Sequence, residues 1–403
     1  MKKIKLLGII TVLSGVLFAM AGCGQGDDNR AFEATSAPAI EAEMPEIATD
    51  SDSNALWRQQ QGQTINQIRS GMLTAGEWND NENHDFILNL MQTDADFHRF
   101  ERMWHFNLSN QIKAIVTDNG SPVNNARVEL LDANENVIFS ARTNNHGIAH
   151  LFAGLGSQGQ STADFIRASS ATTQMSAFDL STRTYEFNLL SEQAPQSLDL
   201  MFVIDTTGSM GDELEYLKVE LADIVRQVNH IHANIDIRLS IIAYRDYGDE
   251  YLTRESPFTR DINSQITFLE AQFAHGGGDW EEAVEAALDA ALSEDWNNAS
   301  SARLMFLVLD APPRNTDENR AEMHRLTLLS ADMGVRIIPV ASSGIDTVTE
   351  YLLRALAMAT GGTYVFLTGD SGIGHGHIDP TIGDHEIELL NDVLVRVISS
   401  YLK

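Results

Sequence analysis

At 403 residues the chain has room for two or three domains, and 57 acidic against 27 basic side chains give a formal net charge of -30. Such a field repels nucleic acid and anionic lipid, which excludes a basic-patch route to either. One cysteine in the whole chain excludes any internal disulfide.

Met1-Lys2-Lys3-Ile4-Lys5 is a basic start, and Leu6 to Phe18 is an apolar run too short to span a bilayer. Ala19-Met20-Ala21-Gly22-Cys23 follows and resembles a bacterial lipoprotein box. Residues 1–22 are therefore expected to be an export signal, with Cys23 the lipidated first residue of a membrane-anchored, extracytoplasmic protein. Cleavage after Ala21, at the Ala19-Met20-Ala21 site, is the competing reading. Residues 23–54 are rich in Ala, Glu, Asp, Ser and Pro without hydrophobic pattern, which predicts an acidic, disordered tether.

Residues 55–105 mix aromatic and polar positions, and predict a small helical segment with helices near 56–70 and 84–104. Its aromatics are expected to pack against the next domain. Residues 106–190 change period: 111–117 and 126–132 alternate as strands do, with turn residues at Asp118-Asn119-Gly120 and Asn134-Glu135-Asn136. Val123 to Val128 and Thr143 to Ala149 resemble the carboxypeptidase regulatory-like, transthyretin-like β-sandwich. That resemblance implies a separate all-β domain, read here as a stiff stalk with nothing catalytic in it.

From residue 198 strands and helices alternate. Leu198 to Ile204 is short and apolar, as a strand buried on both faces of a parallel sheet should be. Leu214, Leu217, Leu221, Ile224 and Val228 then repeat at helical spacing. Further strands are expected at 235–243, 304–309, 335–341 and 363–367, and further helices through Ile262 to Phe273 and Val284 to Leu292. The pattern predicts an α/β, doubly wound, mostly parallel Rossmann-like sheet, whose ligands gather at the carboxyl ends of the strands. Asp205, Thr207 and Ser209 lie at one such end. They match the Asp-x-Ser/Thr-x-Ser motif of von Willebrand factor type A domains, and the resemblance covers residues 198–370. It implies a metal-ion-dependent adhesion site in which Thr207 and Ser209 offer hydroxyls while Asp205 and Asp310 supply charge through water. The implied ion is Mg²⁺, with Mn²⁺ or Ca²⁺ as alternatives. In the loop Gly276-Gly277-Gly278-Asp279, where many members carry threonine, Asp279 has two readings: a third metal-linked carboxylate or a cap on the following helix.

Residues 371–403 form a glycine- and histidine-rich loop and a last helix with Ile387, Leu390, Leu394, Val397 and Tyr401 on one stripe. His375, His377 and His385 with Asp379 and Asp384 are a conceivable zinc set. Their spacing matches no recognised pattern, so a glycine-permitted turn is the simpler expectation. The resemblance implies a binding protein whose cation takes an acidic group of a partner protein or envelope polymer. A metal-dependent hydrolase or phosphoryl-transfer enzyme is the alternative. It is set aside because no base or nucleophile accompanies the motif, His275 being a lone loop histidine.

Overall fold

A computed structural model describes residues 68–156, 160–191, 197–299 and 302–402. The expected export signal, Cys23 and the tether lie outside these, as does 56–67 of the first expected helix. Residues 68–70 are not helical.

The first element is a strand, β1 (Thr74–Trp78), in the stretch between the two expected helices. Residues 84–104 form two helices, α1 (His84–Thr93) and α2 (Ala95–Trp104), rather than one. Asp94 separates them in an extended conformation, φ -104° and ψ 116°, and its side chain accepts from the backbone N–H groups of Asp96 and Phe97. A capping aspartate thus starts a new helix where periodicity alone reads straight through. The sandwich follows as β2 (Gln111–Asp118), β3 (Ser121–Pro122), β4 (Arg127–Leu131), β5 (Val137–Arg142), β6 (Ile148–Phe152), β7 (Phe165–Ser169), β8 (Thr173–Ala177) and β9 (Thr184–Asn188). One sheet runs β3-β2-β6 with β9 added to β2, and the other runs β5-β4-β7-β8. Alternate residues Ile112, Ala114 and Val116 of β2 are fully buried, the period that a strand with one core-facing side requires.

The α/β part comprises β10 (Ser197–Asp205), α3 (Leu214–Ile231), β11 (Asp236–Tyr244), β12 (Thr253–Thr259), α4 (Ile262–Glu270), α5 (Val284–Ser293), β13 (Ala302–Leu309), α6 (Asp317–Met333), β14 (Val335–Ala341), α7 (Thr347–Thr360), β15 (Tyr364–Leu367), β16 (Ile387–Leu389) and α8 (Leu390–Ser400). Its eight-stranded sheet has the order β12-β11-β10-β13-β14-β15-β1-β16. The pairs from β11 through β15 are parallel, while β12, β1 and β16 join antiparallel. The sheet is covered on both faces, and β10 shows why. Leu198, Leu200, Phe202 and Ile204 belong to the core formed with α3 and α8, whereas Met201 and Val203 belong to the core formed with α5, α6 and α7. That second core continues into the sandwich through Phe139, Phe152 and the α2 aromatics, and Phe97 packs edge-on against Tyr351 at 5.5 Å between centroids.

Expectations about two helices change. Ile387 lies in the edge strand β16 and is 45% exposed, so the helical stripe begins at Leu390. Phe273 lies beyond α4 and is also exposed. Because β10 pairs with β11 on one side and β13 on the other, strand order reverses between β10 and β13. The crevice at their carboxyl ends is where an open α/β sheet gathers ligands.

Candidate functional site

Asp205 is the last residue of β10, and Asp310 directly follows β13, so the paired strands deliver both carboxylates to this crevice. The Asp205 loop is organised by its own side chains. Asp205 Oδ1 accepts from the Thr207 backbone N–H at 2.8 Å and from Thr207 Oγ1 at 2.7 Å. Thr207 Oγ1 lies 3.2 Å from Ser209 Oγ. Thr206 turns the other way and donates to the Tyr244 carbonyl at 2.8 Å. Alternate residues therefore face the crevice, with Asp205 and Thr207 buried and Ser209 at the mouth.

Two further loops close on this one. The fully buried Arg245 donates to the carbonyls of Thr206 and Phe273 at 3.1 and 2.9 Å, joining the exit of β11 to the first and third loops. The third loop is stitched to the first by Gly208 N–H to the Gly276 carbonyl and His275 N–H to the Thr206 carbonyl. Gly277 sits at φ +71°, which favours glycine, and a Cβ there would lie a tight 3.0 Å from Glu282 Oε1 and 3.4 Å from Thr207 Cβ.

Glu282 is the residue that sequence reasoning missed. It is 3% exposed, and its backbone pairs with the loop after Asp310 through Glu282 N–H to the Pro312 carbonyl at 2.9 Å. Asp279 goes elsewhere. Its carboxylate is half exposed and bound by Arg314 Nη2 at 2.9 and 3.1 Å, and Arg314 also holds both oxygens of Asp246 at 2.6 Å. The cap reading of Asp279 is corrected, since α5 begins at Val284 with Ala283 at its N-cap. The sequence signal for Glu282 was an acid immediately before an apolar helix.

The electrostatics follow from burial. Asp205 is raised well above the usual carboxylate range by desolvation and then by the Asp310 carboxylate. Asp310 is raised by desolvation, against the Ser209 hydroxyl beside it, and the Glu213 carboxylate adds to the rise. Glu282 is pushed up to about 9 by burial and then by Asp205, Asp246 and Asp310. Asp205 Oδ2, Asp310 Oδ1 and Glu282 Oε2 are buried with no hydrogen-bond partner among the described residues. Buried polar atoms are ordinarily paired, so three orphaned carboxylate oxygens beside two hydroxyls are a donor set suited to a hard divalent cation. Among the described residues no group of three or more His, Cys, Asp or Glu side chains could by itself hold a metal ion.

The histidine loop does not assemble its conceivable zinc set. His377 Nε2 faces Glu213 Oε1 at 3.2 Å and His375 Nε2 faces Asp212 Oδ2 at 3.4 Å, whereas His385 packs edge-on against Phe366.

Residues 199–368 match the family model described as von Willebrand factor A domain, and this part of the chain is such a domain. Among curated proteins the chain is 34% identical over 137 residues to an ariadne-like RING finger protein of Acanthamoeba polyphaga mimivirus, covering 34% of this chain and 13% of that protein. It is 30% identical over 127 residues to the alpha-protein kinase vwkA of Dictyostelium discoideum, covering 31% of this chain and 20% of that protein. The chain thus spans a fifth or less of either relative. Two solved structures align at low similarity: an aerotolerance-related membrane protein of Bacteroides fragilis, 14% identical with a TM-score of 0.33, and BatB of Bacteroides thetaiotaomicron, 13% identical with a TM-score of 0.34. Each alignment covers 51% of this chain and 98% of the other.

Proposed function

We propose that the von Willebrand factor A domain of this protein binds a partner through a divalent cation held at the β10–β13 crevice. Asp205, Thr207, Ser209 and Asp310 would hold the ion, with Glu282 rather than Asp279 as the additional acid. Mg²⁺ suits oxygen donors of this kind, and Mn²⁺ fits them as well. The ion would supply a Lewis-acidic position for an acidic group on a partner protein or envelope polymer. The observation that carries this reading is that Asp205, Asp310 and Glu282, on the loops that meet where strand order reverses, each have a buried carboxylate oxygen without a partner, while Thr207 and Ser209 hold their hydroxyls together beside Asp205.

The rest of the chain's own residues serve rigidity. Arg245 fixes the loops, and the Thr207 bonds hold Asp205 in one rotamer, so a partner meets a preformed surface. Binding rather than catalysis is the proposed role, on a chain anchored through lipidated Cys23 and facing the extracytoplasmic side. The test is capture of partners from envelope extracts by the full chain with Mg²⁺, with chelator, and with Asp205→Ala. Loss of the same partner in both controls supports the reading. A catch unchanged by chelator and by the substitution rejects it.

A further inference from the structure

A second concavity lies at the opposite end of the sheet. β1 ends at Trp78, which pairs with Tyr364 at the start of β15, so the residues after β1 sit where the parallel strands begin, away from Asp205. Here two adjoining hollows of about 440 and about 470 Å³ share Asn79, Glu82, Ser400 and Tyr401. One is floored by the sandwich, where Lys113 of β2 stands opposite His150 of β6. The other extends past Trp78 toward Val397. A cleft of this size between two packed units is where small ligands are ordinarily bound.

Side-chain amides are a recurrent part of its lining. Asn79, Asn81, Gln111 and Asn144 face it, and each amide carries both a donor and an acceptor. They are pre-oriented: Asn79 Oδ1 accepts from the backbone N–H of Asn81 and Glu82 at 3.0 and 3.3 Å, and Gln111 Nε2 donates to Asn81 Oδ1 at 2.6 Å. Lys113 is partly buried, yet its ammonium has no hydrogen-bond or ion-pair partner among the described residues; Glu82, at the exposed rim, also has a carboxylate free to bond a ligand. A partly buried charge without a partner is costly and marks a place where a ligand group completes the bonding.

The charge balance selects the ligand class. Glu77, Glu82 and Asp384 offset Lys113 and Arg396, and the whole chain is strongly acidic, so an anion is disfavoured. Only Ile148 and Val397 are aliphatic in the lining, which leaves no apolar pocket of the kind that reads peptide side chains. A polyhydroxylated, uncharged molecule uses both the amide donors and the amide acceptors, and Trp78 and Tyr401 offer apolar surface to its C–H groups. We propose that this cleft binds a neutral saccharide about two sugar rings long, through Asn79, Gln111, Glu82 and Lys113.

The test is isothermal titration of the full chain, in chelator, with maltose, cellobiose and N,N′-diacetylchitobiose, and with a neutral tetrapeptide. Saturable binding of at least one disaccharide is expected, weakened at least about fivefold by Glu82→Ala and by Lys113→Ala, roughly the loss of one hydrogen bond to a charged group, and unaltered by Asp205→Ala. Because neither Glu82 nor Lys113 has an internal side-chain partner among the described residues, both variants should melt as the parent does. The proposal is overturned if no disaccharide binds at about 10 mM, a dissociation constant of negligible affinity. It is equally overturned if binding survives both substitutions, or if the tetrapeptide alone binds and is lost in both variants.

Discussion

Arg354 and Asp80, 274 residues apart in sequence, form a two-bond ion pair buried in the core, with Nε to Oδ2 at 2.8 Å and Nη2 to Oδ1 at 2.7 Å. Arg354 also donates to Glu350 at 3.1 Å and to the Thr381 carbonyl at 2.6 Å, and Trp78 Nε1 donates to Asp80 at 2.8 Å. The pair therefore locks the exit of β1 onto α7, which makes the segment before the sandwich part of the α/β sheet. Asp80→Ala strips the buried guanidinium of two charge-assisted hydrogen bonds and leaves Glu350 as its one buried carboxylate partner, and it should lower stability by about 3 kcal/mol. The double substitution Asp80→Leu with Arg354→Met strands the buried Glu350 without its cation and should cost more than Asp80→Ala alone. Urea unfolding of the three proteins checks this; a loss for Asp80→Ala below about 0.5 kcal/mol, the range of an ordinary surface substitution, would contradict it.

A second prediction concerns acid stability. His150 is lowered to about 4, first by burial and then by Lys113, His84 and Arg336. An ordinary histidine in the unfolded chain titrates near 6.5. Between these values the unfolded state binds the extra proton, so the stability that neutral His150 contributes is present above about 6.5 and lost as pH falls toward 4. His84 and His324 shift in the same direction, also chiefly through burial. His150→Gln should flatten the fall in stability between pH 6.5 and 4 by an amount on the order of 3 kcal/mol. Parallel pH profiles for parent and variant would show that the ring carries no such cost.

The third prediction tests the glycine of the third loop. Gly277 combines φ +71° with the closeness of Glu282 and Thr207, so Gly277→Ala meets both backbone strain and crowding. The variant should lose about 1–2 kcal/mol and bind Mg²⁺ more weakly than the parent, read by calorimetry. Gly278→Ala has open space around it and should alter neither property.

How far these features could be read in the sequence depends on the distance over which each is determined. The Asp205 loop was legible because three residues within five positions bond one another, and β10 was legible because burial on both faces leaves an unbroken apolar run. β1 was not legible: Thr74 to Trp78 owes its extended form to pairing with residues 364–367 and 387–389, which no local period encodes. β12 escaped for a related reason, since it is an edge strand with no fully buried residue and contains Pro257. Glu282 was hidden because a main-chain bridge to Pro313, some thirty positions on, turns it inward.

Asp279 and Glu282 give the sharpest discrimination between sequence pattern and geometry. Asp279 is neutralised by Arg314, which simultaneously grips Asp246, whereas Glu282 is buried and has one oxygen without a partner. Asp279→Ala should therefore leave Mg²⁺ affinity within about twofold of the parent, the scale of a screened surface charge. Glu282→Gln preserves shape while removing a carboxylate from a crowded acidic crevice. In chelator it should melt at or above the parent's temperature, because the cost of keeping a buried carboxyl pushed up to about 9 protonated is gone, and in Mg²⁺ it should gain less stabilisation than the parent. Asp310→Ala should abolish the Mg²⁺-dependent rise altogether. If instead Asp279→Ala removes that rise and Glu282→Gln keeps it, the third loop must rearrange on binding to exchange Arg314 for the ion.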